Sequence, residues 1–167
     1  MDARRKPEPA PANRTTVERA SDTEIVVTRT INAPARLVFE AFARAELFRQ
    51  WWVPQSLGLT LLSCEIDARL GGKYRLVFRH GDSTMEFYGT YTEVTPHSRL
   101  AWTNEEAGEG GAVTTVTFEE KGGKTLLVLR DRYLTKEAAD AGLVSGAYDG
   151  MSETFEQLDG LVVGSPR

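Results

Sequence analysis

The chain has 167 residues, with 20 Lys+Arg against 24 Asp+Glu and a formal net charge of −4. That is one domain's length, enough to bury a core without disulfides or metals, and the mild acidity argues against nucleic acid, whose phosphates call for a basic face. The one cysteine, Cys64, excludes an internal disulfide. No apolar run approaches the ~18 residues of a membrane span, and Arg4, Arg5 and Lys6 are not followed by the apolar stretch of a secretion signal, so a cytoplasmic location is expected.

Residues 1–22 are rich in Pro, Ala and charge without a hydrophobic period, and are expected to form a disordered tail ahead of a domain over 23–163, with 164–167 as a second short tail. The β-branched stretch TEIVVTRTI at 23–31 predicts a strand. Asn32-Ala33-Pro34 stops it and starts a helix in which Leu37, Val38, Ala41 and Phe42 recur at helical spacing. A second short helix over about 44–51 ends at Trp51-Trp52, before Val53-Pro54.

Strands follow at 58–67, 73–79 and 84–94, then around Leu100 and Trp102, then at 112–120 and 124–133. They are joined by turns at Gly71-Gly72, His80-Gly81-Asp82, Thr95-Pro96-His97-Ser98 and Lys121-Gly122-Gly123. Six consecutive short strands predict an antiparallel meander, and the first strand makes seven. Alternation puts Tyr74, Leu76 and Phe78 on one face with Met85, Phe87 and Tyr91, and sets Lys73, Arg75 and Arg79 on the other.

The cover for the apolar face comes last. Thr135 caps a short helix over 135–141. Val144, Tyr148, Met151, Phe155, Leu158 and Val162 then form one helical stripe. A helix over 143–163 would run roughly 30 Å at about 1.5 Å per residue. Gly146 and Gly150, one turn apart in it, mark either close packing on the sheet or room for a ligand.

The order strand, two helices, six strands and long helix resembles the START-like helix-grip superfamily (SRPBCC). The fold expected is therefore α+β, a curved antiparallel sheet of six or seven strands wrapped around a long C-terminal helix. INAP with LVFEAFARAELFRQWW, then DARLGGKYRLVFR, FYGTYTEVTPHSRLAWTNEE and SGAYDGMSETFEQLDGL, is similar to proteins related to the activator of the ninety-kilodalton heat-shock protein's ATPase. The resemblance covers about 23–163. It implies a domain of the kind that binds lipids, steroids or polyketides, and that in some relatives catalyses cyclisation or dehydration.

No HExxH, CxxC, GxSxG or phosphate loop is present. His80 and His97 sit at turns and make no metal site by themselves, so no catalytic set, metal or cofactor is assigned. Asp131 falls in phase with Leu127 and Leu129, which puts a carboxylate on the cavity wall, able to orient a ligand hydroxyl or act as a base. The expected lining is Trp51, Tyr74, Leu76, Phe78, Met85, Phe87, Tyr91, Trp102, Phe118, Leu127, Leu129, Asp131, Tyr148, Met151 and Phe155. Adjacent helical residues do not share a face, so one of Trp51 and Trp52 packs inward and the other lies nearer the rim. The first expectation is binding of an apolar small molecule. An enzyme acting on a polyketide-like substrate by acid/base chemistry, and a stress-response module with a protein partner or as a homodimer, stay open beside it.

Overall fold

The computed structural model describes residues 14–163. Eight strands pair antiparallel throughout, in the order β1-β2-β8-β7-β6-β5-β4-β3. They are β1 (Thr16–Arg19), β2 (Glu24–Ile31), β3 (Thr60–Ile66), β4 (Lys73–His80), β5 (Ser83–Thr95), β6 (Arg99–Thr103), β7 (Val113–Lys121) and β8 (Lys124–Arg132). Helices α1 (Ala35–Ala43) and α2 (Ala45–Phe48) follow β2, and α3 (Lys136–Val144) and α4 (Met151–Val163) follow β8. This is the helix-grip arrangement.

Strand β5 changes partner along its length: it pairs with β4 through Thr90 and with β6 from Tyr91 onward, with a register shift between Tyr91 and Glu93. A bulge of this kind bends a strand and increases its twist. Gly89 sits at the change of partner. A Cβ there would lie 1.9 Å from the Thr103 carbonyl oxygen and 2.8 Å from the Tyr74 ring, so only glycine fits. On the concave side, strict alternation buries Ile25, Val27 and Ile31 of β2, Val116 and Phe118 of β7, and Leu127 and Leu129 of β8. Phe42, Trp51, Phe155 and Leu158 fill the same layer from the helices. Arg29 shares the buried phase of β2 and reaches Asp159 of α4 at 3.4 Å, while the other Asp159 oxygen accepts from Asn32 N at 3.1 Å.

Two expectations need correction. The sheet has eight strands, not six or seven, because Thr16–Arg19, placed in the tail by sequence, pairs with Arg19↔Ile25 through Thr16↔Thr28. All four of its side chains are exposed, so it left no apolar period to read. Residues 1–13 of the first expected tail, and the whole of the second, 164–167, lie outside the described residues. The last helix is also shorter than the 143–163 expected: α3, the short helix expected over 135–141, runs on to Val144, and α4 begins only at Met151. The chain turns between them, Gly146 adopts φ 87°, and Val144 is 86% exposed. What remains of the grip is α4, 13 residues and roughly 20 Å. Its inward residues are Thr154, Phe155, Leu158 and Val162.

Candidate functional site

A cavity of about 680 Å³ opens between the β3–β5 end of the sheet, the segment after α2, and the α3–α4 connection. Of the fifteen residues expected to line it, eleven do: Tyr74, Leu76, Phe78, Met85, Phe87, Tyr91, Trp102, Leu129, Asp131, Tyr148 and Met151. Met85 and Phe87 stand at the mouth, 37% and 36% exposed.

Trp51, Phe118, Leu127 and Phe155 do not line the cavity; they form the filled half of the concave face. Trp51 is sealed between Phe42 and Phe48, at ring centroids of 4.7 and 5.4 Å, and its indole N–H donates to the Ala41 carbonyl at 2.9 Å. Its neighbour Trp52 takes the wall position, stacked on Phe48 at 4.8 Å. Phe118 and Leu127 face each other across β7 and β8, where Phe118 meets Phe39 and Phe42 of α1. Phe155 turns toward Trp51. The helices press down fully on this side of the sheet, and the space remains on the other.

The segment after α2 carries Trp52, Val53, Pro54 and Leu57 to the wall, and α4 holds it there. Gln157 donates to the carbonyls of Trp51 and Val53 at 2.9 and 2.8 Å and accepts from Gln55 N at 2.9 Å. Glu153 accepts from the backbone N and hydroxyl of Ser56 at 3.0 and 2.5 Å. Polar side chains thus position an apolar wall.

Asp131 does point inward. Strand register sets Tyr91, Trp102, Thr114 and Asp131 in one row across four strands. The Thr114 hydroxyl donates to one Asp131 oxygen at 2.5 Å and the Tyr148 hydroxyl to the other at 2.6 Å. With its proton committed to Asp131, Tyr148 accepts from Tyr133 at 2.7 Å. Asn104 donates to the Thr114 hydroxyl at 3.0 Å and to the Ala112 carbonyl at 2.7 Å, and Tyr74 donates to the Thr103 carbonyl at 2.8 Å. Each donor in this chain is neutral. Burial therefore pushes the Asp131 carboxyl above its ordinary value, against the lowering effect of the two hydroxyl bonds. Burial, reinforced by Asp131, likewise holds the Tyr148 phenol well above its usual range, and burial raises Tyr74, Tyr91 and Tyr133.

Arg130 and Arg132, the flanking residues of β8, lie on the outer phase. Arg130 pairs there with Glu24 at 3.3 Å. Arg75 and Glu86 form an ion pair on the same outer surface. Both histidines are exposed, and His97 takes φ 68° at its turn. Cys64 is half-buried, with its thiol 3.8 Å from the Ala45 carbonyl and raised by burial. Among the described residues no group of three or more His, Cys, Asp or Glu is placed to hold a metal ion.

The lining also includes residues that sequence reasoning passed over, chiefly Phe48, Pro54, Asn104, Thr114 and Tyr133. Thr114 and Tyr133 had a signal: one shares phase with Val116 and Phe118, the other with Leu129 and Asp131. Asn104 lies after β6 and had none.

Residues 32–163 match the family model described as Activator of Hsp90 ATPase homolog 1-like protein. Solved structures agree on the fold. A crystal structure from Rhodobacter sphaeroides is 22% identical, covers 91% of this chain and 99% of its own, and has a TM-score of 0.83. A solution structure from Staphylococcus epidermidis is 27% identical, covers 91% and 96%, and has a TM-score of 0.73. A crystal structure from Chromobacterium violaceum is 26% identical, covers 85% and 99%, and has a TM-score of 0.71. No curated protein matches the chain. Among the described residues, no helix is long and apolar enough to cross a membrane.

Proposed function

We propose that this chain, which belongs to the family of Activator of Hsp90 ATPase homolog 1-like proteins, binds an apolar small molecule in the cavity between the β3–β5 end of its sheet and the α3–α4 connection. The observation that carries this reading is the cavity itself. At about 680 Å³ it is of drug-like size, and its walls are aromatic and aliphatic with a few polar groups gathered at one edge, as in small-molecule sites generally. Trp52, Tyr74, Phe78, Tyr91, Trp102, Leu129 and Met151 supply contact area, and Asp131 with Tyr148 and Thr114 supplies orientation.

Titration with a neutral apolar fluorescent probe tests this. Saturable one-to-one binding is expected, weakened by Met151→Trp, which fills the cavity, and by Trp52→Ala, which removes a wall. Equal affinity in wild type and both variants would move binding to the outer surface and end the reading.

Acid/base turnover is the second reading, favoured by the half-buried Asp131 bonded to Tyr148. It requires that Asp131→Asn abolish conversion of a bound substrate while leaving its affinity nearly unchanged.

A further inference from the structure

The charges around the cavity are one-sided. Among the described residues that line it there is no Lys, Arg or His; the ionised-type side chains are Asp131 and Glu106 alone. The arginines on either side of Asp131 are turned outward by strand alternation, and one of them is already paired with Glu24. A half-buried carboxylate on an apolar wall is favoured by a cation beside it, because charge drawn out of water without a partner is costly. Here its partners within the fold are two hydroxyls, one on each oxygen. A carboxylate oxygen has two acceptor positions, so each keeps one beyond these two bonds, and Asp131 lines the cavity.

We propose that the cavity selects apolar amines, with the ligand's ammonium group set against Asp131, and that it rejects fatty acids and other apolar carboxylates. This rests on the reading of the cavity as a small-molecule site. An ammonium would supply the missing cation through charge-assisted hydrogen bonds, which are shorter and stronger than neutral ones. Trp102 and Tyr91 continue the row of Asp131 and Thr114 across the sheet and line the cavity, which gives the ligand's apolar body an aromatic surface beyond its charged end. An apolar carboxylate would bring a second negative charge beside Asp131 with no cation on the wall to compensate.

Three probes sharing one aromatic body separate the outcomes: pyrenemethylamine, pyrenemethanol and pyrenecarboxylate, titrated into the full chain near neutral pH and followed by pyrene fluorescence. The amine is expected to bind at least about tenfold more tightly than the alcohol, as one hydrogen bond to a charged group allows, and the carboxylate more weakly than either. Asp131→Asn should erase the amine's advantage over the alcohol, whereas Glu106→Gln should preserve it. Thermal melts check that both variants fold, and the wild-type ranking decides the matter even if Asp131→Asn does not. An amine no tighter than the alcohol, or a carboxylate as tight as the alcohol, would overturn amine selection while leaving small-molecule binding standing. Loss of the advantage in Glu106→Gln but not in Asp131→Asn would overturn the assignment to Asp131. Failure of all three probes to bind would overturn both readings.

Discussion

Gly150→Ala is the substitution whose cost follows most directly from the geometry. Gly150 immediately precedes α4, and its carbonyl accepts the first helical bond from Thr154 N at 3.0 Å. A methyl at its Cβ position would stand 2.8 Å from Pro54 Cγ, against about 3.5–4.0 Å for relaxed carbon contacts. The proline ring cannot rotate away, and the segment around it is tied to α4 through Gln157 and Glu153. Overpacking of this kind costs about 1–3 kcal/mol, and the entropy that Ala removes from the unfolded chain returns about 0.4–1 kcal/mol. Net destabilisation of about 1–2 kcal/mol is therefore expected. Gly160→Ala is the control, because nothing lies within 4 Å of its Cβ position. There the better helix propensity should raise stability by roughly 0.5–1 kcal/mol. Urea denaturation of the two variants beside wild type, with slopes compared as well as midpoints, gives both signs in one experiment. A Gly150→Ala variant as stable as wild type would mean that Pro54 is not held against α4, and the account of this wall would fail.

Trp102→Ala should destabilise by about 3 kcal/mol or more, since Trp102 is buried among Phe42, Tyr74 and Tyr91; a loss under about 1 kcal/mol in denaturant titration would place it outside the core. Trp51→Ala should likewise cost about 3–5 kcal/mol, whereas Trp52→Ala should chiefly weaken probe capture; equal losses of stability would remove the distinction between core and wall. Asp131 has a carboxyl raised in the folded state, so its protonated form favours folding, and that contribution is present below the unfolded value near pH 3.9 and lost as pH rises through the raised folded value. Tyr148, Tyr133 and Tyr74 face it and remain protonated in this range. Asp131→Asn should therefore gain on wild type as pH rises from about 4 through the raised folded value, and a constant difference across parallel urea titrations would show that Asp131 is well solvated.

The strand alternation and the turns were plain in the sequence, because a two-residue period survives any tertiary context. Tyr74, Leu76 and Phe78 on one face, and Asp131 in line with Leu129, required nothing else. Thr16–Arg19 was hidden because an edge strand with four exposed side chains pairs through its backbone alone. The break in the last helix was hidden for the opposite reason. Tyr148 lies in the connection and still turns inward, so the apolar stripe ran on across Gly146, whose left-handed φ of 87° ends the regular helix. Trp51 and Trp52 were separable into an inward and a rim position, but Trp51 was set in the lining and the structure reverses that, because the Ala41 carbonyl takes the Trp51 indole proton. The division of the concave face into a filled half and an open half is a matter of how far α1 and α4 reach over the sheet, and periodicity carries no information about reach.

The central claim is that the cavity holds an apolar small molecule, and native mass spectrometry of the protein purified gently from its own host tests it most directly. A non-covalent adduct of defined mass is expected, lost on denaturation and much reduced in Met151→Trp. An adduct that persists undiminished when the cavity is filled, or bare protein under conditions where an added apolar probe is also not retained, would contradict the account.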